Sequence, residues 1–323
     1  MASIFRCLVG LAFLSQILPV ANASDYPKST IRIINASSVG GVSDIFVRSV
    51  AEELRIRLKQ PIIIENRPGG AFNIATRACS DAAPDGYTFC ALPSDVFIYN
   101  PYLFKTLPFD PDKAVDPIMA LFFLPQVLAV KADLNINTID QLVAASKAHP
   151  NTMSYVSPGI AQAGYVESFI KKEKGADLVK VPFRGGGDAV TGMMTGATPV
   201  AFIALGNLIP HLKAKTIVPI AQDGKERLSL FPSIPTVKET GFNGTMIQPF
   251  FALFAPPGTP KEIQALIRSE VAKIISEPSF RQRNILNRGL ASTSGTVEEL
   301  RQLIAAGRLA AKDIVAASGL QAQ

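Results

Sequence analysis

Three short stretches of this sequence place small residues just ahead of an expected helix start, a combination that can hold an anion. They run Ser37 to Asp44, Gly69 to Asn73 and Arg184 to Asp188. In each, a strand ends, glycine lets a ligand approach the backbone, and a helix begins whose first N–H groups have no helical acceptor. The helix dipole adds partial positive charge at the same point. A carboxylate or a phosphate suits such a junction. Gly185-Gly186-Gly187 lacks the Lys-Ser/Thr of a nucleotide-binding loop, and no segment carries the dinucleotide fingerprint.

Groupings that would make or break bonds are missing from the sequence. There is no Gly-x-Ser-x-Gly elbow and no paired-histidine metal motif, and His149 and His211 lie far apart. Cys79 and Cys90 fall on apolar faces with nothing nearby to activate a thiol, and read equally as a disulfide or as two buried small hydrophobes. Asp44 and Asp188 read as helix-start caps and not as acid–base groups. Arg184 offers a guanidinium to a ligand carboxylate or to solvent. These residues point to binding without turnover, and imply neither a cofactor nor a metal.

The elements that must position the loops are legible from periodicity. Ile31 to Ile34 reads as a strand, Val47 to Leu58 as a helix and Ile62 to Ile64 as a second strand, a βαβ unit. A helix to about Ala83 and the strand Tyr87 to Leu92 extend it. The pattern restarts at Gln126 to Val130, with a helix from Thr138 to Ala148 and a strand from Met153 to Val156. A helix through Lys174, the strand Leu178 to Val181, another helix, and the strands Val200 to Ile203 and Ile217 to Ile220 come next. Phe250 to Phe254 reads as a late strand. Helices from Lys261 to Ile275 and Val297 to Ala317 close the chain and are expected to cover the first domain. Strands alternating with helices at this spacing imply an α/β fold with mostly parallel sheets. In such sheets ligands gather at the carboxyl ends of the strands, where all three loops fall.

Composition agrees. The 323 residues are 48% hydrophobic and suit two domains. Lysines and arginines are scattered, so the net charge of +6 makes no basic stripe for nucleic acid. Cys7 to Val20 is almost wholly apolar and ends before Ala21-Asn22-Ala23, the signature of a cleaved export signal leading to the periplasm.

With these residues in view, the chain resembles the substrate-binding proteins of tripartite tricarboxylate transporters, the TctC/Bug family. The resemblance rests on Gly40-Gly41-Val42-Ser43-Asp44, Glu65-Asn66-Arg67-Pro68-Gly69 and Pro84-Asp85-Gly86-Tyr87-Thr88. It rests equally on Val181-Pro182-Phe183-Arg184-Gly185, Ile234-Pro235-Thr236-Val237 and Ala255-Pro256-Pro257-Gly258-Thr259-Pro260. It implies a two-lobed, periplasmic-binding-protein-like (type II-like) fold: a signal at 1–23, one lobe from 24–127 plus 248–323, and the other from 128–247. It further implies a monomer that closes on a small carboxylate and serves membrane transporter subunits. A sensor-linked receptor, or a secreted hydrolase or lyase on the same lobes, are the rival readings.

Carried over by position, the anchor loop is Ser38, Val39, Gly40, Gly41 and Ser43. Gly70, Ala71, Phe72 and Asn73 stand beside it, with Ser94 and Phe250. The second lobe is expected to offer Ser157, Gly159, Gln162 and Tyr165, with Arg184, Gly185, Gly186 and Gly187 behind. The chain departs from the family where Gly192 and Pro199 replace aspartates and Phe72 replaces glycine. Those changes remove charge and add apolar surface, so the expected ligand has one carboxylate and an apolar or aromatic body.

Overall fold

Ile31 and Ile33 point to one side of an extended segment while Arg32 and Ile34 point to the other, the period-two geometry of a strand. The computed structural model describes residues 26–157, 159–181, 186–228 and 230–319. The expected signal segment at 1–23, and Arg184 and Gly185 of the third loop, lie outside the described residues.

The first run of elements is β1 (Ile31–Asn35), α1 (Val42–Leu58), β2 (Ile62–Asn66), α2 (Asn73–Ser80), β3 (Thr88–Pro93), α3 (Asp95–Ile98), α4 (Asn100–Leu103) and β4 (Asp116–Phe123). The second is β5 (Gln126–Lys131), α5 (Ile139–Ala148), β6 (Ser154–Val156), α6 (Ile160–Tyr165) with a π-helical continuation over Val166–Glu173, β7 (Val179–Lys180), α7 (Gly186–Thr195), β8 (Val200–Ala204), α8 (Leu205–Lys213) and β9 (Ile217–Gln222). The chain then returns through β10 (Phe250–Ala255), α9 (Lys261–Ser276), α10 (Pro278–Asn284) and α11 (Val297–Ser318).

Two five-stranded sheets result, ordered β2-β1-β3-β10-β4 and β7-β6-β8-β5-β9. Each is mixed: β10 runs antiparallel to β3 and β4, and β5 antiparallel to β8 and β9. The chain leaves β4 at its carboxyl end and, after Leu124-Pro125, enters the other sheet at that sheet's carboxyl edge. It leaves β9 the same way and enters through β10. A strand entered from the carboxyl edge must run backwards, so both crossings leave one reversed strand. They also turn the carboxyl edges of the two sheets toward each other. The expected lobe boundary at 127/128 falls two residues inside β5. Strand β4 is one that the sequence pattern leaves out, because its apolar run passes through Leu124-Pro125 almost directly into β5.

Both faces of the first sheet are buried. Ile33, Phe89, Ala91, Phe251 and Leu253 pack under α1 and α9, and the alternate residues Ile34, Cys90, Leu92, Ala252 and Phe254 pack under α2 and α11. Each such aromatic or aliphatic side chain contributes roughly 1.5–3 kcal/mol on burial. The second sheet is covered by α5 and α6 on one face and α7 and α8 on the other. Helix α11 packs on β4 and α3 as expected, and also reaches α6 of the second lobe.

Cys79 of α2 and Cys90 of β3 form a disulfide, both wholly buried in the core beneath α11. The bond closes a loop of sequence separation 11. Replacing both cysteines by alanine is expected to cost about 3 kcal/mol by the loop-closure relation. Urea unfolding measures this directly, and an unchanged midpoint would contradict it.

Candidate functional site

The facing edges are built from the residues that follow each parallel strand. After β1, the loop 36–41 is held down by Asp44, which is 1% exposed. Its Oδ1 accepts from Asn35 Nδ2 at 3.1 Å and Asn66 Nδ2 at 2.7 Å. Its Oδ2 accepts from the Gly40 N–H at 2.9 Å and Arg48 Nε at 3.0 Å. Burial pushes the Asp44 carboxyl up, but the bonds from Arg48, Asn66 and Gly40 outweigh it and hold the group below the usual carboxylate range. Asn66 Nδ2 also donates to the Ser37 carbonyl at 2.9 Å, tying the loop to the end of β2.

This corrects the sequence reading twice. Asp44 is not the N-cap of α1, which is Gly41; it sits in the first turn and reaches back to the loop. The Gly40 amide is therefore engaged. The N–H groups of Val42 and Ser43, the first two of α1, meet no acceptor among the described residues. Gly40 itself stands at φ +80°, where glycine is favoured, and Ser38, Val39 and Gly40 are exposed at the tip. Val39 is 73% exposed, a large apolar side chain beside the free amides.

After β2, Asn100 pins the second loop: its Nδ2 donates to Ala71 O and Asn73 Oδ1, each at 2.8 Å. The Phe72 and Asn73 amides are used within the loop, on Gly69 O and Gly70 O. Ala71 and Phe72 both take left-handed backbone, at φ 49° and 69°. That conformation explains why glycine suits position 72, and costs a side-chain-bearing residue about 1–2 kcal/mol. The Phe72 ring offsets part of this by packing on the core below α2.

In the second lobe, Ser157 Oγ donates to the Gly159 carbonyl at 3.4 Å, and Gly159 is the N-cap of α6. A Cβ at Gly159 would lie 2.1 Å from Gln162 Oε1, and one at Gly186 would lie 2.1 Å from Asn207 Nδ2. Asn207 thus lies over the start of α7. Gly187 is exposed.

Three expected site residues turn out to be framework. Tyr165 is wholly buried in the second lobe, packs edge-on against Phe202 and Phe242, and its hydroxyl meets Thr240 Oγ1 at 2.9 Å. Ser94 is 1% exposed and exchanges bonds with the Phe250 backbone, N–H to O at 2.8 Å and Oγ from N at 3.3 Å. Phe250 is equally buried, against Phe123. The core claims all three.

The sequence reading missed several residues at these edges. Asp223, just past β9, is buried and accepts from Gln126 N at 3.0 Å, Gln248 Nε2 at 3.1 Å and Gln162 Nε2 at 2.8 Å. Asp223-Gly224 reads as turn chemistry in sequence, and only its place at a strand's carboxyl end marked it. Among the described residues, eight buried side-chain polar atoms lack a partner; Ser37 Oγ and Gln222 Oε1 lie at strand carboxyl ends, and the Tyr99 hydroxyl and Gln162 Oε1 on segments that follow such ends. Buried polar atoms are rarely left so, and a concentration of them marks a place that takes water or ligand. The lobes touch here too, since a Cβ at Gly206 of α8 would lie 2.9 Å from Val42 Cγ2 of α1.

The profile of the tripartite tricarboxylate transporter family receptor matches residues 46–320. A UPF0065 protein of Bordetella bronchiseptica is 29% identical over 279 residues, 86% of this chain and 82% of its own length. Among solved structures, R. palustris Rpa4515 with adipate superposes with a TM-score of 0.84 at 22% identity, covering 93% of this chain and all of the other. MatC from Rhodopseudomonas palustris with bound malate gives 0.79 at 24% identity, covering 90% of this chain and 100% of the other. These establish the two-lobed α/β periplasmic-binding-protein fold.

Proposed function

The chain belongs to the tripartite tricarboxylate transporter receptor family, and from that premise we propose that it captures a small carboxylate between its lobes for a membrane transporter. The family is one of transport receptors and not of enzymes. Structural relatives hold adipate and malate, both carboxylates. The observation that carries the proposal is the junction itself. The amides of Val42 and Ser43, without an acceptor among the described residues, stand at the positive end of a 17-residue helix, where Val42 meets Gly206 at the start of α8 of the second lobe.

The ligand we infer carries one carboxylate on the α1 amides and an apolar or aromatic body. Val39, exposed on the anchor loop, supports that reading. The lobes swing about the two crossings near Leu124 and Gln248, and the ligand favours the closed form because only there do both lobes touch it. The apolar N-terminus supports export with cleavage after Ala23 and a periplasmic location for the receptor.

A thermal-shift screen of aliphatic and aromatic mono-, di- and tricarboxylates tests this. A ligand at a hundred times its Kd should add about 2.7 kcal/mol of stability. Monocarboxylates with an apolar body are expected to give the largest shift. If citrate led the series, the inferred ligand would be wrong; if no acid shifted the midpoint, so would the receptor reading.

A further inference from the structure

The closing helix α11 presents an outward face on which exposed residues recur as Arg301, Ala305, Leu309 and Asp313, one ridge at four-residue spacing. The solvent face of a surface helix is ordinarily charged or polar. Between Arg301 and Lys312 this helix carries a single charged residue, Arg308, and it is turned away from the ridge. Its Nε donates to the Phe97 carbonyl at 2.8 Å, and its guanidinium pairs with Asp112. Leu309 is left 86% exposed, more than any other large apolar side chain among the described residues. Tyr102 of α4, itself 38% exposed, borders the ridge and donates from its hydroxyl to the Arg308 carbonyl at 3.3 Å.

The two ends of the ridge are opposite in charge. Arg301 and Asp313 are both exposed, and neither forms an ion pair among the described residues. They stand about 18 Å apart along the helix axis, too far to meet within one chain. Turned end for end, the ridge is its own complement: Arg301 of one copy meets Asp313 of the other, and Leu309 of one lies over the small Ala305 of the other. We propose that α11 pairs antiparallel with α11 of a second copy of this chain, about a two-fold axis level with Gly307, in place of the monomer that the family resemblance implies.

A two-fold axis makes every contact occur twice. Leu309 against Ala305 fills the centre from both sides, and Arg301 against Asp313 closes both ends. The charges also fix the direction, because a parallel pairing would set arginine on arginine at one end and aspartate on aspartate at the other. The inner face of α11 packs on β4 and α3 of the first lobe and on α6 of the second. The ridge therefore turns away from both sheets, and none of its residues belongs to the loops of the candidate site. A single helix face is smaller than the roughly 800 Å² per partner of a stable complex, so the pairing is weak, with a Kd of about 10 µM to 1 mM. The inference rests on neither the ligand nor lobe closure.

Sedimentation velocity of the purified protein, over a series from about 5 µM to 1 mM, reads the pairing without any ligand. The mean sedimentation coefficient is expected to rise with concentration toward that of a dimer. Leu309→Glu, a change at an exposed position that should leave the thermal midpoint unaltered, is expected to raise the Kd at least about tenfold. Arg301→Asp and Asp313→Arg should each raise it about threefold to tenfold, since each sets like charges together twice. Both swaps in one chain restore opposite charges, and the Kd should return to within about threefold of wild type. A monomer at every concentration overturns the proposal and leaves the ridge to a different partner, such as a membrane subunit. Association that survives Leu309→Glu overturns it too, and so does a double swap that pairs no better than either single one.

Discussion

Replacing Gly206 with alanine is expected to weaken ligand capture by about tenfold to a hundredfold while leaving the fold intact. Gly206 lies in the first turn of α8, at a point where the second lobe meets the first. A Cβ there would stand 2.5 Å from the Arg288 carbonyl oxygen and 2.9 Å from Val42 Cγ2. The approach is mutual: Gly289, at φ +68°, would place a Cβ 2.8 Å from Leu205 Cγ and 3.1 Å from the Gly206 nitrogen. Backbone cannot yield as a side-chain tip does, so the lobes must separate to admit the methyl group. Overpacking of this kind costs about 1–3 kcal/mol, charged against the closed state alone. Affinity falls by the fraction of molecules still able to close. Calorimetry with the best acid from the screen, set beside thermal unfolding without it, separates the two states. Full affinity with reduced unfolding temperature would mean that the contact belongs to the fold and not to closure.

The second large effect is expected at Asp44, where alanine should lower stability by roughly 3–5 kcal/mol, the range for breaking a buried charge network. The substitution strands the Asn35 and Asn66 amides and the Gly40 N–H at once, and removes the ion pair to Arg48. It also frees the anchor loop, so binding should fall with it. Because the Asp44 carboxyl is held below its ordinary value, its contribution is present above about pH 4, the unfolded-state value, and is lost as pH falls through the folded-state value. Urea unfolding of wild type and variant at neutral and acid pH checks both parts. A loss under about 1 kcal/mol, the worth of a single ordinary hydrogen bond, would show that the network is loosely held.

The two acidic clusters pull in opposite directions with pH, for the same electrostatic reason. Asp44 has Arg48 beside it and prefers its charge; Asp223 and Asp95 form no ion pair among the described residues, and burial raises both. Sequence does not separate them. Both Asp44 and Asp223 follow a strand and sit next to glycine or its neighbours, and both read as turn or cap chemistry. The difference lies in the side chains that the fold brings to each carboxylate: a cation four residues away for Asp44, and neutral amides 25 and 61 residues away for Asp223.

Much of the architecture was open to a direct reading of the chain. Apolar alternation in Ile31 to Ile34 and Phe250 to Phe254, and helical spacing through α1, α5, α9 and α11, follow from local geometry that every residue carries with it. The small-residue loops after strands, and hence the side of each sheet on which the proposed ligand site lies, follow from the same local rules. Closing the chain in three dimensions decided the rest. It bonded Cys79 to Cys90, drew Ser94, Tyr165 and Phe250 into the framework, engaged the Gly40 amide with Asp44, and gathered Gln126, Gln162 and Gln248 on Asp223. Most of these join parts of the chain far apart in sequence, as Ser94 with Phe250 and Gln126 with Asp223, and such a contact exists only once the sheets have formed; even the four-residue reach from Asp44 to Gly40 is shared with Asn66, brought in from β2.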